Sequence, residues 1–307
     1  MPDPLHTSVS VVIPVLNAGK YLSKLLPAIL DQKPVAPGEI VLVDSMSRDN
    51  TVEIAKQFPQ VRVVPIENFS HGRARNLGVR EARGEVVVLM TQDALPQDQS
   101  WLAKLLAPLA DPRVAATYSR QVPYDDASPM ERYFLETHFP AGPAVERVKQ
   151  GDETLNLGNV FFSNVAAALR RDLLLKFPFD ETLIMSEDQQ VSRDLLHAGF
   201  SVVYVPDSIV VHSHNYKLRT VFRRYFDSVY SLTVIFKEHD VGTSASMGFR
   251  YLGQEAVFML RRHPRWLPYY FCYTVMKTTG TLAGHFAEVL PRSLVKKLSM
   301  HSYHWDG

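Results

Sequence analysis

Among 307 residues there is a single cysteine, Cys272. That excludes an internal disulfide and any zinc site built from several thiolates, and it fits a reducing, cytoplasmic setting. Long apolar runs are also missing. The longest uncharged stretch of the last third, Trp266–Met276, has 11 residues, against the ~20 that a membrane-spanning helix needs. The first eight residues, MPDPLHTS, hold two prolines and no apolar core, so no signal peptide is expected. A net charge of +1, from 33 basic and 32 acidic side chains, leaves no global basic footprint for nucleic acid. Neither GxGxxG after the first apolar run nor GxxxxGK[ST] occurs, which disfavours a dinucleotide-binding domain and a P-loop.

What is present begins with a charge split. Residues 1–210 carry 20 basic and 26 acidic side chains, whereas residues 211–307 carry 13 and 6. In the first part, short β-branched runs recur at 9–15, 39–44, 61–66, 85–90 and 114–118. Nearly continuous apolar runs of this kind read as strands buried on both faces of a parallel sheet. Helical patterns lie between them at 18–32, 49–58, 72–83 and 97–109, bounded by capping residues, Gly or Pro. The alternation predicts a doubly wound, Rossmann-like α/β domain over residues 1–215 with a mostly parallel sheet. A further apolar set at 160–169 reads as an added strand, 186–198 as a helix, and 202–205 with 209–211 as short strands. Beyond His214 the pattern is helical, at 221–236, 247–262 and 269–289, which gives a separate basic, aromatic-rich region over 216–307.

Ligands of open α/β sheets sit at the carboxyl ends of the strands. Three strands end there in polar residues: Pro14-Val15-Leu16-Asn17, Asp44-Ser45-Met46-Ser47 and Thr91-Gln92-Asp93. Each alone is compatible with an ordinary strand-to-helix turn; three at one crevice point to a binding site.

Val11-Val-Ile-Pro-Val-Leu-Asn17, Val43-Asp-Ser-Met-Ser-Arg-Asp-Asn-Thr51 and Gly72-Arg-Ala-Arg-Asn-Leu-Gly78 resemble the motifs of the inverting family 2 glycosyltransferases. The likeness runs over roughly residues 9 to 215. Ser70–Asn76, Thr91–Ala94 and Lys297–His301 resemble, more narrowly, bacterial rhamnosyltransferases of O-antigen or capsule assembly. The resemblance implies a GT-A fold, a nucleotide-diphospho-sugar donor (dTDP-L-rhamnose in the narrower group) and a glycan or polyprenyl-diphosphate-linked acceptor. Asp44 then matches the acid that accepts from the pyrimidine N3–H, while Pro14, Asn17 and Ser45 line the nucleoside pocket. Arg75 and Arg73 reach the nucleotide or its phosphates, unless they are merely a solvated helix face.

The family's Asp-x-Asp appears as Thr91-Gln92-Asp93, keeping only the last acid. Asp93 is the expected ligand for Mg²⁺ or Mn²⁺, with Gln92 against the donor sugar. His212 and His214, two apart and on one side of an extended segment, are candidates to complete the metal shell; capping or direct phosphate contact is the other reading. Met185-Ser-Glu-Asp-Gln-Gln190 resembles the family's Glu-Asp pair. Adjacent acids at a helix start are also ordinary capping chemistry. On the resemblance, Asp188 is the base and Glu187 orients its surroundings.

The basic tail interleaves Arg261, Arg262 and Arg265 with Trp266, Tyr269, Tyr270, Phe271 and Tyr273. It reads as a contact with the inner face of the plasma membrane, or as packing within the tail or onto a second subunit. Two other functions compete: a sugar-nucleotide nucleotidyltransferase, which needs a Gly- and Arg-rich loop where Leu16-Asn-Ala-Gly-Lys20 stands, and a non-catalytic sugar-nucleotide-binding protein.

Overall fold

The computed structural model describes residues 8–236 and 241–306, without the side chains of 241–247 and 306. The expectation of no signal peptide falls largely on residues 1–7, outside the described residues. Nine strands form one sheet: β1 Val9–Val15, β2 Glu39–Asp44, β3 Val61–Pro65, β4 Val86–Met90, β5 Leu95–Pro96, β6 Val114–Val122, β7 Val145–Arg147, β8 Ala166–Arg170 and β9 Ser201–Val211. Their order is β3-β2-β1-β4-β8-β6-β9-β5, with β7 also paired to β9.

The β3-β2-β1-β4 half is parallel, as the buried β-branched runs predict. Val11, Val12, Ile13, Val41, Leu42 and Val87–Leu89 have no exposed surface. Pairing Val15 with Asp44 levels the carboxyl ends of β1 and β2. The other half is mixed: β8 lies antiparallel between β4 and β6, while β9 runs parallel to β6.

The apolar set at 160–169 is not one strand. Asn156 and Asn159 form a reciprocal capping box that starts a helical turn at Leu157–Val160. Phe162 then meets the Gln189 side chain, which accepts from its N–H and donates to its carbonyl. A side chain thus takes the bonds a ladder would have used, and pairing begins only at Ala166. The short runs at 202–205 and 209–211 are one strand, β9, whose pairing with β6 carries a register shift between them.

Two compact units divide the chain. The first comprises Met1–Val122, Phe139–Glu181 and Glu187–His212, and holds the whole sheet. The second comprises Pro123–His138, Thr182–Ser186 and Ser213–Gly307, and is helical, with long helices at Leu218–Ile235, Val241–Arg262 and Leu267–His285. Within it, Gly280 and Gly284 allow close helix contact. A Cβ on either would lie 2.4 Å from the carbonyl oxygen of Phe222 or Phe226.

Candidate functional site at the carboxyl ends of the strands

The loops after β1, β2 and β4 are tied by side chains to backbone. Asn17 has φ 51°, a region that Asn tolerates better than most residues. Its N–H donates to Ser47 Oγ at 2.8 Å and its Oδ1 accepts from Arg48 N–H at 2.9 Å. Asp44 is buried, and its carboxylate accepts from the N–H and hydroxyl of Ser47. Gln92 bridges to the end of β1, accepting from Leu16 N–H at 2.9 Å and donating to its carbonyl at 3.3 Å. Pro14 stands half-buried beside Val43. Among the described residues the buried hydroxyls of Ser45 and Thr91 have no hydrogen-bond partner, so the ends of β2 and β4 each carry an unsatisfied polar atom.

The Gly72–Gly78 motif has a packing reason at almost every position. Ser70 caps the helix His71–Glu81 by accepting from Arg73 N–H. A Cβ at Gly72 would meet the Asp180 carbonyl at 2.6 Å, and one at Gly78 would meet Val12 Cγ1 at 2.2 Å. Asn76 accepts from Phe179 N–H at 3.0 Å, and donates to the Phe179 carbonyl at 2.9 Å and to Glu181 at 3.0 Å. Arg73 is exposed, with Nε 3.2 Å from Glu181. Arg75 is buried, and its Nη1 lies 2.6 Å from Glu187 Oε1 with both side chains 7% exposed. The guanidinium therefore faces a protein carboxylate. Asn76 is part of the Gly72–Gly78 motif, but nothing in the sequence marks Phe179 and Glu181 as its partners.

Glu187 and Asp188 open the helix Glu187–His197, which is tied down by Gln189 on Phe162, Ser192 on the Val160 carbonyl at 2.7 Å and Gln190 on Asp180 N–H at 2.8 Å. Asp188 Oδ1 accepts from Gln189 N–H at 2.9 Å. The two acids differ in charge. Burial alone would push Glu187 up, but Arg75 and then His71 outweigh it and the net shift is downward. Burial first, and the charge of Glu187 second, push the Asp188 carboxyl up to about 7 against the opposing effect of Arg75. An acid poised there suits proton abstraction near neutral pH.

Asp93 and His212 meet because β5 pairs with the end of β9, Leu95 opposite Val211. His212 Nε2 lies 3.6 Å from Asp93 Oδ1, and His212 Nδ1 lies 2.9 Å from Gln121 Oε1. Gln121 Nε2 donates to Ser163 Oγ at 3.0 Å, and in this orientation its oxygen faces the imidazole. Nδ1 then carries the proton and Nε2 presents a lone pair beside a carboxylate, the arrangement a metal-ligating histidine needs. His214 lies two residues further along the chain. Its N–H donates to Glu131 Oε1 at 3.1 Å, and its ring stacks on Tyr216 at 5.0 Å.

The sequence model of glycosyl transferase family 2 matches residues 10–177. The O-antigen chain rhamnosyltransferase RfbN of Salmonella typhimurium is 32% identical over 304 residues, covering 97% of this chain and 96% of that protein. WbaN of Salmonella anatum, also an O-antigen chain rhamnosyltransferase, is 30% identical over 98% of this chain and 96% of its own. Among solved structures, the mannosyltransferase PcManGT of Pyrobaculum calidifontis, in complex with GDP-Man and Mn²⁺, matches with a TM-score of 0.64 at 21% identity. The match covers 94% of this chain and 88% of that one. TarS 1–349 of S. aureus in complex with UDP-GlcNAc matches with a TM-score of 0.56 at 18% identity, covering 97% and 88%. The sheet, the matched motifs and the full-length likeness agree: the chain has the GT-A fold and belongs to glycosyl transferase family 2.

Proposed function

We propose that the protein transfers L-rhamnose, with inversion, from dTDP-β-L-rhamnose to a hydroxyl of a glycan acceptor carried on polyprenyl diphosphate. The observation that carries the mechanism is the place of Asp188 at the start of the helix Glu187–His197, next to the buried Arg75–Glu187 pair, where burial and Glu187 push its carboxyl up. Asp188 takes the proton of the acceptor hydroxyl as its oxygen bonds to the anomeric carbon, and the bond to the diphosphate breaks on the opposite face. One displacement inverts the centre, so a β-linked donor gives an α-rhamnoside. The two rhamnosyltransferase relatives match along nearly the whole chain, which supports rhamnose as the sugar.

Asp44 has acceptor sites beyond those used by Ser47, since a carboxylate offers about four, and one of them meets the pyrimidine N3–H. Asn17, Ser45 and Pro14 line the nucleoside, and Arg73 and Gln92 lie toward the diphosphate and sugar. Asp93, His212 and His214 would hold Mg²⁺ or Mn²⁺; the Gln121-oriented imidazole and the adjacent carboxylate fit a divalent ion. When bound, such an ion neutralises charge on the diphosphate.

The acceptor brings the enzyme to the inner face of the plasma membrane through the helical unit. Phe271, Val275 and Leu282 are exposed on Leu267–His285, followed by Phe286 and Val289. No acid occurs between Glu255 and Glu288, while Arg261, Arg262 and Arg265 flank Trp266. An apolar face with a cationic rim complements an anionic bilayer. Among the described residues, no helix is long and apolar enough to cross a membrane.

The test is Asp188→Asn. Transfer from dTDP-rhamnose should fall by about 10²–10⁴-fold while calorimetric dTDP affinity persists. Unchanged transfer overturns the base assignment, and a preference for UDP or GDP sugars overturns the donor.

A further inference from the structure

The resemblance of residues 72–78 to a nucleotide-sugar motif invites Arg75 to be read as a phosphate ligand, but its surroundings point elsewhere. Among the described residues, Arg75 Nη1 donates to Glu187 and, at 3.4 Å, to the His71 carbonyl, and Arg75 Nε is buried without a partner. A second carboxyl, Asp188, follows Glu187 at the same helix start and is bound through Gln189. The charged groups that bear on the two acids are Arg75 and His71, from the helix His71–Glu81; Asn164, ahead of β8, adds polar contacts.

We infer that Arg75 and Glu187 are positioning residues: a buried ion pair that sets the charge state at which Asp188 works and touches neither donor nor acceptor. The inference rests on Asp188 being the base. Glu187, ionised and buried next in sequence, disfavours a second negative charge on Asp188, and Arg75 offsets part of that. The two members of one pair therefore pull Asp188 in opposite directions. What separates this role from a merely structural salt bridge is whether changing either member moves the pH profile of Asp188.

The experiment compares pH profiles of kcat/KM for the full chain and its Glu187→Gln, Arg75→Gln and Asp188→Asn variants, with dTDP affinity measured in parallel. Glu187→Gln keeps a carbonyl for Arg75 to donate to, so the fold is retained, and the acidic limb should move down by about one pH unit or more. Arg75→Gln should move the limb up, with dTDP affinity changed by less than about threefold. The inference is overturned if Asp188→Asn is inactive but Glu187→Gln leaves the limb in place. It is equally overturned if Arg75→Gln weakens dTDP by about tenfold or more, because the guanidinium would then touch the donor. Should Arg75→Gln fail to fold, Glu187→Gln alone decides. Wild-type transfer by Asp188→Asn would instead refute the base reading, a separate outcome.

Discussion

Asn76→Ala should be among the most destabilising single substitutions in the family motif. Asn76 is 6% exposed and satisfies both backbone groups of Phe179, itself 2% exposed. Truncation leaves a buried N–H and a buried carbonyl without partners, each costing about 1–3 kcal/mol, so the total is about 2–6 kcal/mol. Against a typical stability of about 5–15 kcal/mol that loss is large. With an m-value of about 2–3 kcal/mol/M, the urea midpoint should fall by about 0.7–3 M. Asn76→Asp provides the sharper control. It keeps the acceptor for Phe179 N–H but turns a carboxylate toward the Phe179 carbonyl and Glu181, so it should be no more stable than the alanine variant. Equilibrium urea unfolding measures both. A loss below about 0.5 kcal/mol for Asn76→Ala would refute the argument that these bonds are made in the folded state and unreplaced by water.

The pH dependence has opposite signs for rate and for stability. Activity should rise with pH through about 7 as Asp188 ionises. Its folded carboxyl titrates above the unfolded value of about 3.9, so its stabilising contribution is complete below that value and is lost as pH climbs through about 7; calorimetric melts of wild type against Asp188→Asn isolate it. Gly78→Ala would place a Cβ 2.2 Å from Val12 Cγ1, so it should cost about 1–3 kcal/mol by overpacking and be relieved by Val12→Ala. Gln121→Leu removes the acceptor that orients His212; Mn²⁺ affinity, read by calorimetry, should weaken about 10–100-fold. Phe271→Glu with Leu282→Glu should abolish flotation of the full chain with anionic vesicles. Flotation that persists, or a dimer that dissociates instead, would assign that face to something other than lipid.

Much of the sheet was legible because its strands obey a local rule. β1, β2 and β4 are buried on both faces, and only continuous apolar runs survive there. The helix His71–Glu81 was legible as a helical pattern over 72–83 closed by Gly84, while its Ser70 cap emerged only in the structure. The split of 160–169 was not: Phe162 is bonded by Gln189, 27 residues away, and no periodicity reports that. The antiparallel entry of β8 was equally hidden, since an apolar strand carries no mark of direction.

At the site, the motif order pointed to the loops after β1, β2 and β4 and to the acids at 187 and 188, because their chemistry is local to short segments. Which groups those residues face was decided by tertiary structure. Arg75 and Glu187, 112 positions apart in the chain, meet only in the fold; burial then raises Asp188, while Arg75 overcomes the burial of Glu187 and holds it low. The meeting of Asp93 with His212 depends on the register of β5 on β9. By itself the sequence determined the residue types at the strand ends and the charge division between body and tail, because those are properties of composition and spacing. Only the fold decided partners and proton affinities, because both depend on which groups are brought together away from water.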